Sequence, residues 1–368
     1  MTLAAACVAA FALSALTVWL ARGIANRRGW LDRPNSRSSH ESPTPRLGGI
    51  GVWLATLAVS SIAALVGQPP ALGDTYLWAV LLGALLVAVT GLADDLLPQG
   101  LVPAVKLAGQ LAAALATIAV AREFFLGSTL PEVTNSAAGL FLVVTLVGSF
   151  QVLWLTAQSN FANFMDGSDG LLAGISIIGL VCLASLLSGA DSALAGSALV
   201  AAAATIGLLV FNRPRASIFM GDSGSLFLGF LLAALAMAWI ATGAGPRAID
   251  AAMPGPQSLY RLGTVLILMA PLWVDAVTTL LLRLIRRRHL TEAHRDHLYQ
   301  RMLRAGMTPA ALCLVYWTYA VACGGAAIVS ATHGLLGGVA GLALVAGGVI
   351  VVVTSHRRSR LIRNASGS

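Results

Sequence analysis

The stretch NFMDGSDGLLAG (163–174) links two long apolar runs, about 138–156 and 171–188. Two carboxylates, Asp166 and Asp169, stand three residues apart in an otherwise almost purely apolar part of the chain. A helix that crosses hydrocarbon needs about 20 predominantly apolar residues. The flanking runs meet that length, and so do nine others, at about 3–21, 48–66, 76–93, 103–120, 192–211, 224–242, 262–284, 309–331 and 334–354. Eleven candidate helices with polar connectors predict an all-α, polytopic integral membrane protein.

Composition supports this reading. Of 368 residues, 57% are hydrophobic and 10% charged, against about 25% charged in soluble domains. The 38 glycines suit close packing between membrane helices. Cys7, Cys182, Cys313 and Cys323 lie in apolar runs without CxxC or Cys/His ligand spacing, so neither a disulfide framework nor a zinc site is expected. No basic residue precedes the first run, and Arg22 follows it, which is the reverse of a secretory leader. The first run therefore reads as a retained helix that starts outside the cytoplasm. With that start, twenty Lys and Arg fall on cytoplasmic connectors and only Arg122, Arg247 and Arg261 fall outside. The chain reads as a single transmembrane domain, 1–368, with its C-terminus inside and a basic cytoplasmic tail at 355–368. The net charge of +8 then reflects topology and attraction to anionic headgroups. No basic domain stands free of the membrane, so nucleic-acid binding is not expected.

The acids sort themselves onto the same face. Asp94 and Asp95 end the third helix, Asp166 and Asp169 lie in the third cytoplasmic connector, and Asp222 lies in FMGDSGS (219–225) of the fourth. His294 and His297 lie in the fifth, in EAHRDHLYQRM (292–302). Any one such acid could simply cap a helix or sit in water, and the two histidines could line a solvated face. Five acids beside hydrocarbon call for more, because each costs several kcal/mol unless paired or hydrated. Asp275 lies deeper, in PLWVDAVTTLLLRL (271–284), and reads as structural support, pairing with Arg283 or orienting a catalytic group. Glycines beside the acids, in DGSDG and GDSGS, permit tight turns whose N–H groups favour anions. Carboxylates among such turns ask for a cation between them and a phosphate. Hard oxygen ligands suit Mg²⁺, with Mn²⁺ as the alternative. Asn163, Asp166 and Asp169 recur every three residues, which fits one face of a helical turn. A glycine turn leading into the next helix fits equally well.

GLADDL (91–96), NFANFMDGSDGL (160–171) and FMGDSGSLFLG (219–229) follow DRPNSRSSHESPTPRLGGIG (32–51) and precede the His-containing fifth connector. In that order they resemble the polyprenyl-phosphate N-acetylhexosamine-1-phosphate transferase family, from about residue 30 to residue 305. The resemblance implies that undecaprenyl phosphate attacks the β-phosphorus of a UDP-N-acetylhexosamine, releasing UMP with Mg²⁺ as cofactor. It implies that Asp222 binds the metal and that Asp94 and Asp95 form the acidic pair that acts as base or positions phosphate. His294 and His297 join the catalytic group. Asn163, Asp166 and Asp169 match the nucleotide side, with Asp169 accepting from the uracil N3–H. Phe219 matches an aromatic that stacks on uracil, and Arg46 is grouped with the substrate-binding residues. The peptidoglycan branch has a three-histidine run in the fifth connector, where this chain has His294, Arg295, Asp296 and His297. That departure argues for the O-antigen-initiating branch, with UDP-GlcNAc, UDP-FucNAc or UDP-QuiNAc as donor, over a phospho-MurNAc-pentapeptide transferase. The expected setting is the bacterial inner membrane with the site facing the cytoplasm; monomer and homodimer are both left open. A transporter is the rival from another class, but its acids belong near the bilayer midplane, on broken helices or repeats.

Overall fold

The computed structural model describes residues 1–32, 43–66, 72–97, 99–121, 137–189, 191–241, 257–288 and 296–365. His294, Arg122 and Arg247 lie outside them. Among the described residues the chain forms thirteen helices and one two-stranded ribbon. The helices are α1 (Leu3–Arg28), α2 (Gly49–Val66), α3 (Leu72–Leu96), α4 (Pro103–Val120), α5 (Ala137–Met165), α6 (Leu171–Leu187), α7 (Ser192–Asn212), α8 (Asp222–Ala241), α9 (Gln257–Leu268), α10 (Ala270–Ile285), α11 (Leu298–Arg304), α12 (Pro309–His333) and α13 (Leu335–Ala365). β1 (Leu31–Asp32) pairs antiparallel with β2 (Thr44–Pro45), Leu31 opposite Pro45.

Local chemistry sets the helix ends. The Thr2 hydroxyl accepts from Ala5 N–H at the start of α1, and Gly29 closes that helix in a left-handed conformation. The Asp191 carboxylate accepts from Ala193 and Leu194 N–H at the start of α7. Pro103 and Pro309 sit at the first positions of α4 and α12, where a missing N–H costs nothing.

α8 is the centre of the bundle. Every residue from Ser223 to Trp239 is buried, which is what a helix apolar all round requires. It packs against α2, α3, α5, α6 and α9. α1 and α7 pack together on one flank; α12 and α13 pack on another. Exposed large apolar side chains, among them Trp19, Leu65, Phe141, Leu153, Leu314 and Leu342, cover the outer faces, as a bilayer solvent demands.

Each of the eleven apolar runs falls on helix. Among the described residues, eight helices are long and apolar enough to cross a membrane, nine if α9 and α10 count as one span. α5 has 29 residues, and α6 is apolar but only 17 long. One expectation needs correction. The run at 262–284 is not one straight helix: it breaks at Met269 and turns by 86°. Pro271, at the second position of α10, lacks the N–H that would continue the α9 ladder, and its ring clashes with the preceding turn. α13 runs on unbroken through the basic tail to Ala365. Arg261, counted among the outside residues, is buried with its guanidinium carbon 5.7 Å from the Trp239 ring.

Candidate active site

The C-terminal ends of α3 and α5 and the N-terminal ends of α4 and α8 meet at one end of the bundle. Gly91 allows α3 to come this close. A Cβ there would lie 2.4 Å from the Asp222 carbonyl oxygen, so any other residue would push α3 off the start of α8. The approach gathers Asp94, Asp95 and Asp222, each offering a carboxylate oxygen within 4.8 Å of the others.

The three acids have different surroundings. Asp95 is buried, and its two oxygens accept from Asp222 N–H at 3.0 Å and Ser223 N–H at 2.9 Å. The next two N–H groups of α8, on Gly224 and Ser225, both donate to the Gly221 carbonyl. Gly221 is left-handed (φ 73°), and a Cβ on it would run into the Arg46 carbonyl and the Asp95 carboxylate. With the Gly221 N–H on the Asp166 carboxyl, all four amides that a helix start usually leaves open, those of residues 221–224, are engaged, and Ser225 makes the first regular helical bond. The GDSGS turn does not offer them to phosphate, contrary to the sequence expectation.

Asp94 and Asp222 are bridged by Lys106. Its ammonium lies 3.0 Å from Asp94 Oδ1 and 2.5 Å from Asp222 Oδ2. Asp94 Oδ1 also accepts from Leu101 N–H. Asp222 Oδ1 accepts from the Asn163 amide at 2.9 Å, and that amide also reaches Ser225 Oγ at 3.0 Å. Sequence reasoning counted Lys106 only as a topology marker. A usable signal was there: a cation in the first turn of a helix opposes the macrodipole and needs an anionic partner. One turn on, Gln110 is buried and its Oε1 accepts from the Asn160 amide at 2.6 Å, carrying the polar seam inward.

The 160–171 motif resolves into a helix end and a turn. Asn163 is still on α5, and residues 166–170 form the turn into α6. Asn163 therefore faces Asp222, whereas Asp169 faces the 212–219 loop. There Asp169 Oδ2 accepts from Arg215 and Ala216 N–H, both at 3.0 Å, and steadies Arg215 in a left-handed conformation. Asp166 is half-buried between them. Burial first, and then the Asp222 and Asp95 carboxylates, hold its carboxyl well above the usual carboxylate range, with the Gly221 N–H pulling the other way.

Phe219 is half-buried beside the first motif. Its N–H donates to the Pro45 carbonyl at 2.7 Å, and its carbonyl accepts from Gly48 N–H at 2.9 Å. Arg46 donates from Nε to the Asp95 carbonyl and from Nη2 to that of Leu97, so the guanidinium closes the C-terminal end of α3. His297 is buried at the start of α11, its ring stacked between Phe164 and Tyr299 at 5.8 and 6.1 Å. Asp275 faces this histidine, with Oδ1 3.7 Å from His297 Nδ1. Arg283, the alternative partner for Asp275 read from sequence, pairs with Asp296. Lys106 is the site residue that sequence reasoning missed; for Asp275 it offered two readings, and the structure places the residue against His297 and not Arg283.

The donor set fits a hard divalent cation. Three carboxylates converge, and the gap between two of them is already bridged by a positive charge. Asp94 and Asp222 would hold the ion; Asp95 has both oxygens engaged at α8.

A helical membrane bundle with one acidic, cation-bridged cluster at its helix ends belongs with enzymes that work on phosphates at a membrane surface, and sequence comparison agrees. The family described as glycosyl transferase family 4 matches residues 77–240. A decaprenyl-phosphate N-acetylglucosaminephosphotransferase of Mycolicibacterium smegmatis is 32% identical, over 93% of this chain and 86% of the relative. A Bacillus subtilis protein named "Probable undecaprenyl-phosphate N-acetylglucosaminyl 1-phosphate transferase" is 28% identical, over 82% of this chain and 78% of the relative. A phospho-N-acetylmuramoyl-pentapeptide-transferase of Lacticaseibacillus paracasei is 35% identical, over 62% of this chain and 73% of the relative. The chain belongs to glycosyl transferase family 4.

Proposed function

We propose that the protein transfers an N-acetylhexosamine 1-phosphate from a UDP-sugar to a polyprenyl phosphate at the cytoplasmic face of a bacterial inner membrane. An oxygen of the lipid phosphate attacks the β-phosphorus. The bond from that phosphorus to the bridging oxygen breaks, and UMP leaves with the electron pair. The observation that carries this reading is the Asp94–Lys106–Asp222 bridge at the meeting of four helix ends, beside Asn163 and Asp166.

A phosphate monoester has a second pKa near 6, so the lipid phosphate is mostly ionised at neutral pH and needs positioning more than deprotonation. Asp94 takes that place, since Asp95 is committed to the start of α8. Lys106 supplies a positive charge beside the diphosphate, and Asn163 holds Asp222 in its orientation. Mg²⁺ bound by Asp94 and Asp222 would neutralise charge that develops on the leaving phosphate. Asp169 reads the uracil with the oxygen not given to the 215–216 amides, and Phe219 stacks on the base. In the same reading all eleven apolar segments cross the membrane, N-terminus outside, as the twenty-to-three split of Lys and Arg supports.

The sugar is an N-acetylglucosamine-type unit that starts a cell-surface polysaccharide such as O-antigen. The relatives matched over most of their length are named as N-acetylglucosamine-phosphate transferases. Purified protein in nanodiscs with undecaprenyl phosphate, Mg²⁺ and a panel of UDP-sugars, followed by UMP release, tests the proposal. UMP release with UDP-GlcNAc or its 6-deoxy relatives is expected. Release only with UDP-MurNAc-pentapeptide would move the protein to the peptidoglycan step, and sugar-nucleotide flux without UMP would make it a transporter.

A further inference from the structure

Asp275 lies on α10, inside the bundle, at 3% exposure. An ionised carboxylate this deep must be surrounded by donors, and four hydrogen bonds reach it. Thr279 Oγ1 donates to Oδ1 at 3.1 Å, Leu298 N–H to Oδ1 at 2.8 Å, Tyr299 N–H to Oδ2 at 3.3 Å and Tyr316 O–H to Oδ2 at 3.2 Å. His297 Nδ1 is the fifth neighbour, at 3.7 Å. Two of these donors are the first amides of α11, so a side chain from α10 caps the two amides that the helix's own His297–Gln300 capping box leaves open. Gln300 completes the start by accepting from His297 N–H.

What α11 carries makes this more than a structural cap. Tyr299 is buried, and its hydroxyl lies against Gly167; a Cβ on Gly167 would come within 2.0 Å of that oxygen. His297, one residue before α11, stacks on Phe164, which directly follows Asn163. The stacked pair therefore lies against the end of α5, through Phe164, and against the turn 166–170 that bears Asp166 and Asp169, through Gly167. Two links join Asp275 to that turn: one through α11, and one through α12, where Tyr316 donates to Asp275 and Cys313 donates to the Asp169 carbonyl; Tyr299→Phe touches only the first.

We propose that Asp275 is a positioning residue for the sugar-nucleotide side of the site, acting by fixing the start of α11 so that His297 holds the end of α5 and Tyr299 holds the 166–170 turn. The kinetic part rests on the reading of that turn as the nucleotide side; the mechanical part does not.

Two readouts on Asp275→Asn and Tyr299→Phe in nanodiscs test it. Asparagine keeps the size of Asp275 but has only one acceptor oxygen for the two amides. Phenylalanine leaves α11 capped and removes only the hydroxyl against Gly167. In hydrogen exchange by mass spectrometry, Asp275→Asn should speed exchange severalfold in peptides covering both 298–304 and 163–170, and Tyr299→Phe should do so in 163–170 alone. In steady-state kinetics both variants should raise KM for the UDP-sugar about tenfold, with KM for the polyprenyl phosphate unchanged and kcat changed less. Faster exchange in 298–304 with 163–170 as in the wild type would overturn the relay. Equal increases in both KM values, or a fall in kcat alone, would overturn the positioning role. If the wild-type protein releases no UMP, the proposed function fails, and the exchange experiment still decides the mechanical part.

Discussion

Lys106→Gln tests the centre of the site. The ammonium sits 3.0 Å from one carboxylate and 2.5 Å from another. At an effective dielectric of 20, each contact is worth about 6 kcal/mol of bare Coulomb attraction. Desolvation of the three charges cancels most of that. Removing one partner of a well-buried pair costs about 3–5 kcal/mol. Here Lys106 and Asp222 side chains each keep 23% exposure, so water screens part of the effect and about 2–3 kcal/mol is the appropriate range. On the proposed function the lysine also faces the diphosphate, and the loss appears in the transition state. That predicts a fall in kcat/KM of about 30- to 150-fold. The same substitution leaves Asp94 and Asp222 unneutralised, so a divalent cation should bind the substrate-free protein more tightly. The assay is UMP release across a Mg²⁺ titration, with Mn²⁺ affinity of the free protein measured by electron paramagnetic resonance. Activity and cation affinity should move in opposite directions. Activity within threefold of wild type, or a parallel fall in both, would refute the view that Lys106 shares the acids with a cation.

Asp222→Asn should insert in membranes and lose nearly all turnover, as should the wild type in EDTA; full UMP release under either condition would remove Asp222 from the cation site. Asp169→Asn should keep the 212–219 loop, because an amide oxygen can still accept from Arg215 and Ala216, while UDP-sugar affinity falls about tenfold and the preference for uridine over cytidine narrows, since the uracil N3–H is left as an unmet buried donor, which costs about 1–3 kcal/mol. Nucleotide titrations with the two bases check this, and unchanged selectivity would take Asp169 off the nucleotide side. For pH, the raised carboxyl of Asp166 binds its proton more tightly in the folded, cation-free protein than in the unfolded chain. Its contribution to stability is therefore full below the ordinary carboxylate pKa of about 4 and is lost as pH rises through the folded value. Thermal unfolding in EDTA across that window should show the decline in the wild type and a flatter profile in Asp166→Asn; identical slopes would contradict it.

The helices were legible because hydrocarbon thickness imposes a length, and eleven apolar runs of that length stand out in the sequence. The break at Met269 was not, because one proline near the middle of an apolar run reads as tolerated until its neighbours in space are known. The acids were legible for the same reason as the helices: a carboxylate in an apolar chain is conspicuous by its cost. Their separate duties were not. Asp94 and Asp95 are adjacent in sequence, yet one pairs with Lys106 and the other caps α8. Asp275 and Arg283 have the spacing of a pair two turns apart, yet Asp275 goes to the α11 amides and Arg283 to Asp296. Which N–H or ammonium stands within 3 Å of a carboxylate depends on how separate helices cross, and no local pattern encodes that.

The closure of the α8 amides has a further consequence for how this site can hold a diphosphate. In many phosphate-binding folds the open N–H groups of a helix start supply the positive end. Here the first two donate to Asp95 and the next two to Gly221. The anion must be met by side chains or by a cation. Around the cluster stand the carboxylates of Asp94, Asp95 and Asp222, with Asp166 close by, against the ammonium of Lys106 and the guanidinium of Arg46 beside Asp95. Adding two phosphates to such a set would place like charges together in a half-buried pocket, at a cost that these two cations do not offset. The arrangement makes physical sense when the positive charge arrives with the substrate. The acids then do not repel the diphosphate; they hold the ion that accompanies it. Asp95, by occupying the α8 amides, prevents the phosphate from settling on the helix start and out of reach of Asp94. On this argument the acidic excess is what makes binding of the diphosphate conditional on the cation, so UDP-sugar affinity should depend steeply on Mg²⁺ in the wild type and weakly in Asp222→Asn.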